Sequence, residues 1–291
     1  MRLVHVTLHK AGPGIGHHGR VPGIYDEPEF YQAACAYRDV PAEVDALLRW
    51  SGRFREPETG APRSVLELAA GPAEHARELA RRGLEATALD LSTAMCAQAR
   101  ELAKADGLSL TVIEADMRDF RLPGDVDLAV TMLNSLCHLM SLDDMLLHLA
   151  SVARCLSPNG LYIMELAHPA DFFAPVPRTS SEWTVDAPGV QAKVRWGGRG
   201  DRIDPLTQIT REHMTITATA ADGTIRTVSD VVPNRFWTLT EFTAGIALAN
   251  GVPAGPDGGT FELVATYGDF DQTTPLDAPT AWRMVLVLRR S

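Results

Sequence analysis

Residues 64–90 read SVLELAAGPAEHARELARRGLEATALD. The apolar run Ser64–Ala69 stops at Gly71-Pro72, helical spacing carries on through Arg82, and a second apolar run, Glu85–Asp90, ends on a carboxylate. Strand, helix and strand in that order make a β-α-β unit, whose two strands lie parallel in one sheet. The alternation extends outward from there. A helix is expected over Thr93–Ala105 with Ser92 as its N-cap, then strands at Leu110–Glu114 and Val126–Met132. A helix over Leu142–Cys155 capped by Ser141, a turn at Ser157–Gly160 and a strand at Leu161–Ala167 follow.

Upstream, Pro28–Trp50 has helical spacing interrupted at Pro41, which suits the first residue of a second helix, and reads as a helical cover. Downstream the period changes to two over Glu182–Trp196, Gln208–Ala220 and Thr224–Phe236, which predicts an antiparallel insert. A helix at Thr240–Asn250 and strands at Phe261–Tyr267 and Trp282–Arg289 complete the pattern. The expected fold is α/β: a Rossmann-like seven-stranded sheet with one antiparallel member among its final two strands, an N-terminal helical lid and an antiparallel β insert. By residue number, the arm and lid occupy 1–60, the ligand-binding α/β core 61–172, the insert 173–236, and the C-terminal helix with the last two strands 237–291.

Composition narrows the function classes. The chain has 291 residues, 45% hydrophobic and 22% charged, enough for a sizeable core and unlike a disordered or fibrous chain. Its 27 Lys and Arg against 37 Asp and Glu give a net charge of −10 with no basic stripe, so nucleic acid is not an expected partner. No apolar run reaches membrane-spanning length, and Met1–Lys10 is broken by His5, Thr7 and His9, which leads us to expect a cytoplasmic protein without a membrane partner. Cys35, Cys96, Cys137 and Cys155 are widely spaced, without a CxxC pair, as reduced thiols would be. His17 and His18 in Gly14–Arg20 lack a third ligand at metal spacing, so a glycine-rich arm is expected there and no metal.

In open α/β sheets a ligand binds beyond the carboxyl ends of the strands, where strand order reverses. The first exit loop, Glu67-Leu68-Ala69-Ala70-Gly71-Pro72-Ala73, has one glycine, and Pro72 has no N–H, so it is not the G-x-G-x-x-G loop of a dinucleotide site. Gly71 alone is equally explained by a tight turn. Asp90, at the second exit, suits the hydroxyls of a ribose or the dipole of the helix that follows. Asp116 and Met117, at the third, pair a carboxylate with an apolar side chain in a way that suits an adenine. The fourth exit, Asn134-Ser135-Leu136-Cys137-His138, offers His138 as a base titrating near neutrality or as a structural histidine, and Cys137 as a small buried side chain. Glu165 and His168, at the fifth, are acceptor-pocket candidates or strand caps. Trp183, Trp196, Arg211, Arg235 and Trp237 wall a substrate pocket or form a homodimer interface.

These residues together carry a resemblance. Glu67 to Gly71, then Asp90, then Asp116-Met117-Arg118-Asp119-Phe120, then Thr131-Met132-Leu133-Asn134-Ser135 is similar to the class I S-adenosylmethionine-dependent methyltransferase family, over most of the chain. The nearest type is the small-molecule group with a helical lid and an antiparallel insert, which includes sugar-amine N,N-dimethyltransferases of natural-product pathways. The resemblance implies S-adenosylmethionine as cofactor and methyl transfer to a small-molecule amine or hydroxyl. It places Glu67 and Ala69–Gly71 at the methionine part, Asp90 at the ribose, Asp116 and Met117 at the adenine, and Tyr31 and Arg38 at the cofactor carboxylate. Leu91, Met95 and Leu133 complete the cofactor set, while Asn134, His138, Glu165, His168, Arg211 and Trp237 line the acceptor side, with His138 catalytic. Relatives usually carry more glycine than Ala69-Ala70-Gly71-Pro72. The rival readings are a nucleotide-dependent oxidoreductase and a non-catalytic ligand-binding protein with the same fold.

Overall fold

The computed structural model describes residues 23–173, 180–187, 189–251, 259–271 and 273–291, so the Gly14–Arg20 arm with His17 and His18 lies outside the described residues. Two helices come first, α1 (Pro28–Cys35) and α2 (Val40–Phe54). Asp39 caps α2 by accepting the Ala42 N–H at 3.1 Å, which makes Pro41 the second helical residue rather than the first. The alternating stretch then gives β1 (Ser64–Leu68), α3 (Glu74–Arg81), β2 (Glu85–Asp90), α4 (Thr93–Ala105), β3 (Leu110–Glu114), β4 (Val126–Thr131), α5 (Leu142–Cys155) and β5 (Leu156–Ala167). Ser92 caps α4 through the Met95 N–H, and Ser141 forms a capping box with Asp144 on α5, as their positions predict.

After a short α6 (Ala170–Phe173) come β6 (Ser181–Ala187), β7 (Val190–Trp196), β8 (Ile209–Ala220) and β9 (Ile225–Arg235), an antiparallel sheet in the order β6-β7-β8-β9. The chain returns through α7 (Leu239–Gly251), β10 (Phe261–Tyr267) and β11 (Arg283–Arg290). The main sheet has the order β10-β11-β5-β4-β1-β2-β3. Its neighbours from β5 to β3 are all parallel, while β11 runs antiparallel to both β5 and β10. This is the seven-stranded sheet expected, with one antiparallel member. Strand order reverses between β1 and β4.

Three details depart from the sequence reading. Glu182–Trp196 falls in two strands, β6 ending at Ala187 and β7 starting at Val190, with Gly189 at φ +81° before it. Helix α3 starts at Glu74 instead of Pro72 because Ala73 takes a left-handed conformation at φ 59°. The turn at Ser157–Gly160 is absorbed into β5 as an irregularity, with Asn159 at φ 61° and a register shift opposite Val126/Leu128.

Both faces of the main sheet are covered. Leu66, Leu68 and Met164 pack towards α5 and α7, Val65, Leu128 and Ile163 towards α2 and α3. The insert turns Val194, Met214, Ile216 and Val228 onto Ile24, Phe30 and Ala34. Ser92 Oγ donates to the Tyr25 carbonyl at 2.8 Å, so the segment before α1 is fastened to the exit of β2. Among the described residues no helix is long and apolar enough to cross a membrane.

Candidate functional site

The exits of β1, β2 and β4 meet at the reversal of strand order. The β1 loop makes a sharp turn with few glycines: Ala69 (φ 49°), Gly71 (φ 54°) and Ala73 (φ 59°) are all left-handed, a region that costs an alanine energy and a glycine almost none. Asp90 joins this loop to the next one. Its Oδ2 accepts the Gly71 N–H at 2.7 Å and its Oδ1 the Ser92 N–H at 2.8 Å. Burial pushes the Asp90 carboxyl up, and the two N–H bonds oppose that. Each oxygen keeps a lone pair beyond these bonds.

Tyr31 and Met95 close around the same turn: a Cβ on Gly71 would lie 3.8 Å from Tyr31 and 3.9 Å from the Met95 sulfur. Leu91, next to Asp90, is 67% exposed, an apolar side chain left uncovered beside a fixed carboxylate. Tyr31, Ala69, Gly71, Asp90, Leu91 and Met95 thus belong to one place. Asp116 and Met117 are held close together but are already engaged: Arg118 forks onto Asp116, and the Met117 carbonyl bonds His148 Nδ1 at 2.8 Å.

Glu67 and Arg38 sit differently from the expectation. Glu67 is buried, with Oε2 accepting the Ala76 N–H at 2.7 Å and Oε1 3.3 Å from His75 Nδ1, so it anchors α3. Arg38 spends four N–H contacts on the carboxylates of Glu43 and Glu165, at 2.6–3.1 Å. Glu165 in turn accepts the Leu133 N–H at 2.9 Å. Burial alone would raise the Glu165 carboxyl, but Arg38 and Arg283 hold it low. Two residues read as cofactor and acceptor ligands therefore pair with each other.

On the acceptor side, Leu133 (φ 57°) and Asn134 (φ 58°) form a doubly left-handed turn, and Asn134 Oδ1 ties it to the Ala167 N–H at 2.9 Å. His138 follows, its Nε2 3.1 Å from the Tyr25 hydroxyl with the rings edge to face at 5.4 Å. Burial lowers the His138 pKa and raises that of Tyr25, so at neutral pH the imidazole is uncharged and the phenol protonated. Cys137 is buried and its thiol pushed up by burial, as a packing residue is. His168 is bonded at both nitrogens, to the Leu276 carbonyl at 2.8 Å and the Ala170 N–H at 3.2 Å, which is the strand-end role. It borders a cavity of about 440 Å³ with Leu239, Thr266, Leu276 and Met284.

Two expected acceptor residues are not in this space. Trp237 is buried, donates to the Leu136 carbonyl at 3.1 Å and lies under the Arg235 guanidinium, so it is core. Arg211 is exposed on the outward face of β8. The residue beside it, Glu212, points inward with Met214 and Ile216; alternation along β8 carried that signal, as it did for Asn234 on β9. Tyr25 had no comparable signal, because a three-residue 3-10 turn leaves no periodicity to read.

Residues 65–160 match the family model described as a methyltransferase domain. This segment is similar to a methyltransferase domain. The resemblance seen in its strand exits is borne out by that match. Over 113 residues the chain is 30% identical to the dTDP-3-amino-3,4,6-trideoxy-alpha-D-glucopyranose N,N-dimethyltransferase of Streptomyces venezuelae, a stretch covering 39% of this chain and 45% of that protein. The match thus spans less than half the length of that curated relative. Two solved structures share the fold over most of the chain. An S-adenosylmethionine-dependent methyltransferase from Clostridium acetobutylicum aligns at TM-score 0.70 with 14% identity, covering 92% of this chain and 99% of that one. DesVI of Streptomyces venezuelae aligns at 0.68 with 21% identity and the same coverages.

Proposed function

We propose that this chain transfers a methyl group from S-adenosylmethionine to a small-molecule acceptor, an amine or a hydroxyl, in natural-product biosynthesis. The observation that carries the reading is the Asp90 carboxylate, fixed by two backbone N–H bonds at the strand reversal of a methyltransferase domain. The surrounding residues fit the cofactor: an acceptor-only group for vicinal hydroxyls, an uncovered Leu91 for a ring, and Tyr31 and Met95 flanking the Gly71 turn. The N,N-dimethyltransferase relative supports an amine and a natural-product setting. The domain match does not favour the oxidoreductase or the non-catalytic reading.

When bound, S-adenosylmethionine supplies an electrophilic methyl group on a sulfonium. The residues of the chain then have separable tasks. Asp90 would hold ribose hydroxyls, Leu91 and Met117 an adenine face, and Tyr31 with the Ala69–Gly71 turn the amino-acid end. Arg38, through Glu165, keeps the lid on the exit of β4. His138, uncharged at neutral pH, is the group able to take a proton from the nucleophile, and Tyr25 fixes its ring. Holding acceptor and methyl in line supplies much of the rate.

Calorimetric titration tests this. Wild-type chain is expected to bind S-adenosylmethionine and its demethylated product. Asp90→Ala should weaken both by about 10- to 100-fold, the loss of hydrogen bonds costing about 1–3 kcal/mol. Tight NAD binding with no response to S-adenosylmethionine overturns the reading.

A further inference from the structure

The insert brings a carboxylate to the acceptor side that the reading above leaves unused. Glu212 lies on the face of β8 that packs on Ile24 and Phe30. Its Oε2 accepts from Trp196 Nε1 at 2.9 Å and from Asn234 Nδ2 at 2.6 Å, and Asn234 Oδ1 accepts from Cys137 Sγ at 3.2 Å. Cys137 immediately precedes His138, and Trp196 and Tyr25 pack against one apolar cluster. Glu212 is thus linked through Asn234 and Cys137 to the turn that presents His138.

The carboxylate is half-buried, yet both of its donors are neutral. Among the described residues no Lys, Arg or His pairs with it and no donor reaches Oε1. Burial pushes its pKa up, Trp196 and Asn234 oppose this, and the Asp201 carboxylate, of the same sign, raises it further. A carboxylate taken from water without a counter-charge is costly, which is why such groups are normally paired. Here the two donors on Oε2 fix its orientation and leave Oε1 to an incoming donor. Trp196, stacked on Trp183 with centroids 6.4 Å apart, adds an aromatic face of the kind that attracts a cation.

We propose that Glu212 receives the amine of the acceptor in its protonated form, with Trp196 beside it, and so selects aminated acceptors over their hydroxyl counterparts; the ammonium gives up one proton to His138 before the nitrogen lone pair takes the methyl. This rests on the methyltransferase reading and narrows its acceptor. A role for Glu212 only in bracing Trp196 and Asn234 would give no such charge preference.

The test uses the full chain with and without the demethylated cofactor, titrated at pH 7 with cyclohexylammonium chloride and with cyclohexanol by ligand-observed NMR. Wild type is expected to bind the ammonium about tenfold or more tightly than the alcohol. Glu212→Gln should remove that preference by weakening the ammonium about tenfold, while binding of the alcohol and of the demethylated cofactor changes by less than about twofold. Glu212→Asp, which keeps the charge, should keep the preference. Equal binding of the two probes by wild type, a preference surviving in Glu212→Gln, or its loss in a folded Glu212→Asp overturns the proposal. A chain that ignores the demethylated cofactor yet prefers ammonium fails the methyltransferase reading and leaves the Glu212 assignment standing.

Discussion

Burial of both partners sets the protonation of the Tyr25–His138 pair. A histidine whose pKa is lowered by burial stays in its basic form further into acid, so activity should fall only as pH drops through a value below 6.5. His138→Ala is expected to lower kcat by about 10²- to 10⁴-fold with cofactor affinity unchanged, because the loss is confined to proton transfer. A small loss that tracks acceptor KM, measured by steady-state kinetics, would instead mark His138 as a positioning group. At this scale the sequence was legible where a residue ends a strand. Asp90 and His138 were found that way. It was less legible where partners come from far along the chain, since nothing local to Arg38 or Glu165 shows that the two bond each other at 2.8 Å.

The β1–α3 loop shows how an element tolerates the wrong residue for its shape. Ala69 is left-handed, a conformation that glycine takes freely and that costs alanine about 1–2 kcal/mol. Ala69→Gly should relieve part of this and raise Tm by about 2–4 °C, measured by thermal unfolding. No change, or a fall, would mean that the Ala69 methyl contributes to packing as much as the strain costs. Helices and parallel strands were read nearly to the residue because their caps and apolar periods are local signals, as Ser92 and Ser141 show. The β6–β7 hairpin is not legible in the sequence, since the alternation of Glu182–Trp196 runs on as it would in one strand. The inward parity of Glu212, by contrast, is legible in the alternation of β8, which turns Arg211 outward.

At the scale of the molecule, one buried charge network ties the lid, both sides of the sheet and the final strand together. Arg38, Arg283 and His75 face Glu43, Glu67 and Glu165, with Arg283 3.2 Å from Glu43 and 3.3 Å from Glu165. Burial would lower the pKa of His75, but hydrogen bonds to Glu43 and Glu67 outweigh it and raise the value from 6.5 to about 9. The fold therefore binds the protonated form more tightly than the unfolded chain does. Its contribution, about 2–4 kcal/mol, is complete below pH 6.5 and disappears as pH rises through about 9. Unfolding midpoints in urea should fall across that window, and His75→Gln should flatten the dependence; a wild-type profile flat from pH 6.5 to 9.5 would contradict this account. The position of β11 has another consequence, for how the chain is made. Strand β5 is apolar along Leu161–Met164, and its outer edge is completed only by residues 283–290. While the polypeptide emerges from the ribosome, that edge stays open through the whole synthesis of the insert, a template for stray pairing. The insert itself closes by neighbouring hairpins, β6 with β7 and β8 with β9, and has no need to wait. Biogenesis thus divides into early local zippering and one late, long-range closure that shields the nascent sheet from aggregation.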